Sequence, residues 1–174
     1  MIEIGRIRRA VYRIASRRHN NHIFGQWMEK AMKIKRRGSA AWKGGLKDGK
    51  GSITTESGAL QAYPYGFASR FEGQRGTNPE ELIAAAHAGC FTMALSLMLG
   101  EAKLVAEQMD TSAEVTLEQV EGGFAITAVH LTLKAKVPGA DKATFDTLVG
   151  KAKVGCPVSK LLKAEITLDA TLLT

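Results

Sequence analysis

At 174 residues the chain is sized for one domain with a real core, and 45% hydrophobic against 24% charged residues excludes a disordered polymer. Two cysteines in the whole chain exclude a disulfide-stapled module. The net charge of +7 is unevenly placed: Arg6, Arg8, Arg9, Arg13, Arg17, Arg18 and Lys30 against Glu3 and Glu29 put +5 of it in residues 1–31, so neither a nucleic-acid nor a membrane partner is expected for the body.

Residues 1–31 read as a basic leader. Ile4, Ile7, Val11 and Ile14 fall at helical spacing between arginines. Three readings stand open: translation ahead of a start at Met32, a targeting or surface-binding helix, and a flexible arm. His19 and His22 are too few for a metal site.

From Met32 the pattern is α+β, and residues 32–174 form the expected domain. Residues 33–42 suit a strand, the glycine-rich stretch 44–51 a turn, and residues 52–56 an antiparallel return. Residues 65–71 suit another short strand. Asn78-Pro79-Glu80-Glu81 then supplies a cap, a first-turn proline and acids at the positive end of a helix dipole. That helix runs to Gly100, apolar on nearly all sides. Although Leu82 to Leu99 brushes the length of a membrane span, its His87, Cys90, Thr92 and Ser96 favour the core of a soluble protein. Residues around Val115 and around Val129 alternate as strands about a turn at Glu121-Gly122-Gly123. A second helix follows over residues 141–154, a short third opens at Cys156-Pro157, and Ile166, Leu168, Ala170 and Leu172 alternate as a closing strand.

No Walker loop, dinucleotide fingerprint or zinc spacing is present, so chemistry rests on the cysteines. Cysteines this scarce are most often small buried hydrophobes. Cys90, however, lies mid-helix and Cys156 at a helix mouth, where two thiols within reach could reduce a peroxide and close a disulfide. Cys90 is too deep in its helix to gain from the dipole, and burial alone would leave it inert. It needs a cation. At 100° per residue Glu80 falls about 80° from the cysteine's face and Glu81 about 180° from it, so Glu80 is expected to share the pocket and Glu81 to face water. A Glu80–arginine pair would fix a guanidinium while leaving donors free. Arg70, on the strand-like segment between Phe67 and Phe71, is the candidate, and Arg75 reads as a solvated loop residue. His87, one turn before Cys90, reads as core packing, because peroxide attack needs a thiolate and a donor rather than a Cys–His dyad.

These residues carry a resemblance. Thr54-Thr-Glu-Ser-Gly58, Pro64-Tyr-Gly-Phe67, Arg70-Phe-Glu-Gly73, Gly76-Thr-Asn-Pro-Glu-Glu-Leu82, Ala85-Ala-His-Ala-Gly-Cys-Phe91 and Lys151-Ala-Lys-Val-Gly-Cys-Pro-Val-Ser159 resemble the OsmC/Ohr family over essentially all of residues 32–174. The arginine after Pro-Tyr-Gly-Phe points to the OsmC branch. The resemblance implies an intertwined homodimer with two central helices backed by antiparallel sheets and active sites at the subunit interface. It implies a cytoplasmic peroxidase of stress defence that reduces organic hydroperoxides, and hydrogen peroxide more weakly. Cys90 would be the peroxidatic nucleophile and Cys156 the resolving thiol, with Arg70 holding the thiolate and Glu80 orienting Arg70. No cofactor or metal is implied; the reductant would be an external dithiol, lipoyl-type in the Ohr branch. The alternative is a redox sensor or binding protein switched by a Cys90–Cys156 disulfide.

Overall fold

The computed structural model describes residues 33–173. The expected leader, 1–31, lies outside the described residues. By contacts the chain falls into two units, residues 1–38 and 39–174. In the first, Lys33 to Arg37 form no helix or strand and are exposed. The strand expected from residue 33 therefore begins only at Gly38, beyond a basic run in which Ile34 is the single apolar side chain.

The second unit holds two sheets. The first has the order β1–β2–β3: β1 Gly38–Lys43, β2 Lys50–Thr55 and β3 Tyr63–Tyr65. Strands β2 and β3 are antiparallel, with Ser52 opposite Pro64. Its aromatic contact is Trp42 against Tyr65, ring centroids 5.5 Å apart. Gly51 lets the two rings approach, since a Cβ there would stand 2.3 Å from the Tyr65 ring and 2.7 Å from that of Trp42.

The expected strand over residues 65–71 is corrected. The strand stops at Tyr65, and Phe67–Phe71 forms a one-turn helix, α1. Local hydrogen bonding decides this. The Gly66 N–H donates to Ser69 Oγ at 2.9 Å, satisfying a donor that the helix start would leave orphaned. Phe67 and Phe71 stand at i, i+4, the spacing that lets side chains meet on a helix, with ring centroids 4.9 Å apart.

The second sheet has the order β4–β5–β6: β4 Gln108–Val120, β5 Gly123–Lys136 and β6 Glu165–Leu173. Strands β4 and β5 form an antiparallel hairpin closed by Val120 opposite Gly123, with a bulge at Thr116/Leu117. Strand β6 runs parallel to β5, so this sheet is mixed rather than purely antiparallel. Parallel neighbours need a long crossover, and helices α3, Lys142–Gly155, and α4, Pro157–Leu161, supply it.

Helix α2, Pro79–Glu101, packs on β4, α3 and α4. His87, Phe91, Leu95 and Leu99 recur every four residues as its buried stripe. The three apolar ones meet Leu131 and Leu133 of β5 and Phe145, Leu148 and Ala152 of α3 in one core. Each such apolar side chain contributes about 1.5–3 kcal/mol by leaving water. The opposite face is bare: Met93 is 76% and Leu97 42% exposed. The helix is long and apolar enough to cross a membrane, yet it packs as the core helix of a globular fold along one stripe. The full burial expected of it is not reached within one chain.

Candidate active site

The first half of the site is an ion pair at the start of α2. The Asn78 side chain accepts from the Glu81 N–H at 2.8 Å, and Pro79 fills the first helical position. Thr77, 1% exposed, ties this start to the first sheet through its N–H to the Pro64 carbonyl at 2.9 Å. Ser69 Oγ donates to the Thr77 carbonyl, also at 2.9 Å. The intervening Gly76 has φ +153°, and a Cβ on it would lie 2.7 Å from Ser69 Cβ. Helix α1 is thus pinned beside the α2 N-terminus, and Arg70 reaches Glu80 with both prongs. Its Nε donates to Oε2 at 3.1 Å and its Nη2 to Oε1 at 2.6 Å. The fork fixes the guanidinium plane and leaves Nη1 without a hydrogen-bond partner among the described residues. Arg70 sits 5.2 Å from the Phe71 ring centroid, and Phe124, at the tip of the β4–β5 hairpin, extends that aromatic surface at 5.6 Å. Glu81 is exposed, as expected, and accepts from Thr77 Oγ1 at 2.8 Å.

The second half is the thiol pair. Cys90 is half-buried on α2, and Cys156 is wholly buried where α3 ends and α4 begins. Cys90 packs against the core that holds Cys156. Burial pushes the Cys90 thiol up, and the neighbouring Cys156 side chain pushes it further, against a smaller downward pull from the Val158 N–H. At Cys156 burial also pushes upward. There the Ser159 N–H, the Cys90 thiol, the Ser159 hydroxyl and the Val158 N–H together bring the thiol below its ordinary value. Fixed N–H groups at a helix start favour a thiolate, so Cys156 is the more acidic of the two thiols.

His87 is completely buried. Its Nε2 lies 2.8 Å from Ser159 Oγ, its Nδ1 has no hydrogen-bond partner among the described residues, and burial holds it below the ordinary imidazole value. The expectation of plain core packing thus misses a polar contact. The sequence signal for Ser159 is its place three residues after Cys156, one turn along α4.

The structure joins Arg70 to Glu80 and packs Cys90 against the core that holds Cys156, but it does not join the two pairs. Among the described residues no hydrogen bond or ion pair links Arg70 to Cys90. The expectation that Glu80 shares the Cys90 pocket is therefore not met within one chain. The helical angle alone puts Glu80 near the cysteine's face, but ten residues also rise about 15 Å along the axis. Among the described residues no group of three His, Cys, Asp or Glu side chains could hold a metal ion.

Comparison with known proteins bears on this arrangement. The family described as OsmC-like protein matches residues 71–171. The chain is 59% identical to the Peroxiredoxin OsmC of Escherichia coli over 79% of its own length and 96% of that protein. It is 31% identical to the organic hydroperoxide resistance protein OhrB of Bacillus subtilis over 67% of its length and 84% of that one. The crystal structure of OhrB superposes with a TM-score of 0.59 at 29% identity, covering 78% of this chain and 98% of OhrB. An organic hydroperoxide resistance protein from Elizabethkingia anophelis gives 0.61 at 27% identity, covering 82% and 100%.

Proposed function

The chain belongs to the OsmC-like protein family, and from that premise we propose that Cys90, Cys156, Arg70 and Glu80 carry out its thiol-dependent reduction of hydroperoxides. The observation that carries the assignment is the packing of Cys90 against the core that contains Cys156, the other of the two cysteines in the chain. They come from distant stretches of sequence, yet they meet.

Once its proton is lost to solvent, the Cys90 thiolate attacks the terminal oxygen of the hydroperoxide. The O–O bond breaks, leaving Cys90 sulfenic acid and an alkoxide, which takes a proton from water and departs as the alcohol. The Cys156 thiolate then attacks the Cys90 sulfur, the S–S bond forms, and hydroxide leaves. An external dithiol supplies two electrons and two protons to restore both thiols. The guanidinium of Arg70, oriented by Glu80, stabilises the Cys90 thiolate and the departing alkoxide.

The gap between the two pairs supports a homodimer, in which the Arg70–Glu80 fork of one chain lies over the thiols of a second copy. The bare Met93 and Leu97 face of α2 is the surface such a copy would cover. Phe67, Phe71 and Phe124 beside Arg70 supply apolar contact for the alkyl part of an organic hydroperoxide, which favours it over hydrogen peroxide. We place the peroxidase domain at residues 32–174, with the leader 1–31 apart from the chemistry. Free thiols suit a reducing compartment such as the cytoplasm.

The test is consumption of cumene hydroperoxide and hydrogen peroxide by the purified protein, with dihydrolipoamide or dithiothreitol as donor. Repeated turnover, faster on the organic peroxide, is expected. One equivalent consumed and then nothing would turn the assignment toward a redox sensor.

A further inference from the structure

We propose that His87 is a positioning residue for Cys156: its Nε2–H fixes the Ser159 hydroxyl as a donor to the Cys156 sulfur, so that Cys156 attacks, and later leaves, as a thiolate. The proposal deepens the peroxidase reading, since it takes Cys156 as the resolving thiol.

Protons can be counted along three side chains, of which His87 and Cys156 are buried and Ser159 is half-buried. Ser159 Oγ carries one hydrogen. It lies 2.8 Å from His87 Nε2 and one turn along α4 from Cys156, near enough to lower that thiol. It can donate to only one of them. His87 is neutral, because it is fully buried and held below the ordinary imidazole value, so one ring nitrogen bears hydrogen and the other does not. Nδ1 has no hydrogen-bond partner among the described residues.

Two arrangements are possible. If Nδ1 bears the hydrogen, Nε2 must accept from Ser159. The sulfur then loses the hydroxyl, and a buried N–H is stranded without an acceptor. If Nε2 bears the hydrogen, it donates to Ser159 Oγ, and the hydroxyl proton turns to the sulfur. Only a bare ring lone pair is then left unpaired. Orphaned buried N–H groups are the costlier defect, so the second arrangement prevails. The unpartnered nitrogen thereby gives the hydroxyl its direction.

The direction matters twice in the cycle. Cys156 must be a thiolate to attack Cys90 sulfenic acid, and the S–S bond to Cys90 breaks faster during reduction if Cys156 is the better leaving group. The incoming dithiol then attacks the Cys90 sulfur, Cys156 departs with the electron pair, and the second thiol of the dithiol releases Cys90. Attack by peroxide on Cys90 uses neither His87 nor Ser159.

The experiment compares His87→Phe, which keeps bulk but removes the donor, His87→Gln, which restores an N–H donor at the ε position, and Ser159→Ala, which cuts the link. Two readouts are taken. Ultraviolet thiolate absorbance of Cys156 is titrated in a Cys90→Ser background, and single-turnover rates are measured separately for Cys90 oxidation by peroxide and for disulfide reduction by dithiothreitol. His87→Phe and Ser159→Ala are expected to move the Cys156 titration to higher pH and to slow disulfide reduction about three- to tenfold. Cys90 oxidation should change by less than about twofold, His87→Gln should restore both readouts, and the double variant should be no worse than either single. An unmoved titration in Ser159→Ala, or oxidation and reduction falling together in every variant, would overturn the proposal. Should His87→Phe not fold, Ser159→Ala decides alone. The titration needs no peroxide, so it reads this proposal even if the wild-type protein shows no turnover.

Discussion

Glu80 and Cys90 occupy the same face-adjacent sector of one helix yet stand about 15 Å apart along its axis. Glu80 is bound to Arg70, and Cys90 packs against the core that holds Cys156. One chain therefore presents two separate clusters, a guanidinium–carboxylate fork and a pair of thiols.

The clearest consequence is a subunit-mixing result. Arg70→Ala alone should lower kcat/KM for cumene hydroperoxide by about 10²–10³-fold, the usual loss for a donor at a developing oxyanion, and Cys90→Ser alone should be inactive. Mixed and allowed to exchange subunits, the two inactive proteins should regain activity, because each heterodimer holds one site with an intact fork facing an intact thiol. Continued inactivity after verified exchange would place the fork and the thiol in the same chain.

The two cysteines should fail differently. Cys90→Ser should consume no peroxide beyond the rate of the free dithiol. Cys156→Ser should form one equivalent of sulfenic acid, trappable with dimedone and visible by mass, and then stall. Steady turnover in Cys90→Ser would remove that residue from the chemistry.

Introducing charge on the bare face of α2 should break the assembly. Met93→Asp at a 76% exposed position is expected to convert a dimer to a monomer by light scattering and to lose peroxidase activity with it. A monomeric wild-type protein with full activity would contradict this outcome.

Acid should destabilise the fold through His87. Its folded-state value lies below the ordinary 6.5 because of burial, so between those values the unfolded chain takes up a proton that the folded chain does not. Stability is then fully present above about pH 6.5 and declines as pH falls toward the folded value. Urea midpoints followed from pH 7.5 downward should show that decline in the wild type and a shallower one in His87→Gln. Parallel slopes would assign the acid sensitivity elsewhere.

At the centre of β5, Leu131 is completely buried. Leu131→Ala is expected to cost about 2–5 kcal/mol, measured by chemical denaturation. A loss below about 1 kcal/mol would mean that the core collapses around the gap.

Much of this was legible in the residues. Asn78-Pro79 announced α2, and the alternation from Ile166 announced β6, because caps and periodicities act over a few residues. The helix at Phe67–Phe71 was also written locally, in the i, i+4 phenylalanines and in Ser69 three places after Gly66, but five residues offer little period to read. What stayed hidden was set by long range. The parallel pairing of β6 depends on the crossover path rather than on its own pattern. His87 and Ser159 are 72 positions apart, so their contact exists only once α4 has docked. The separation of Glu80 from Cys90 was readable, yet only by counting axial rise as well as angle.

In the proposed reaction, the packing of Cys90 beside Cys156 has a further kinetic meaning. Folding has already closed the long loop between them, a cost that grows with the logarithm of loop length, so none of it recurs during turnover. To a sulfenic acid on Cys90 the second thiol is present at an effective molarity that no dissolved thiol or peroxide attains. A second peroxide molecule must reach Cys90 by diffusion, while Cys156 is already in place. The competition between repair and irreversible oxidation is thus decided by geometry rather than by the abundance of the oxidant.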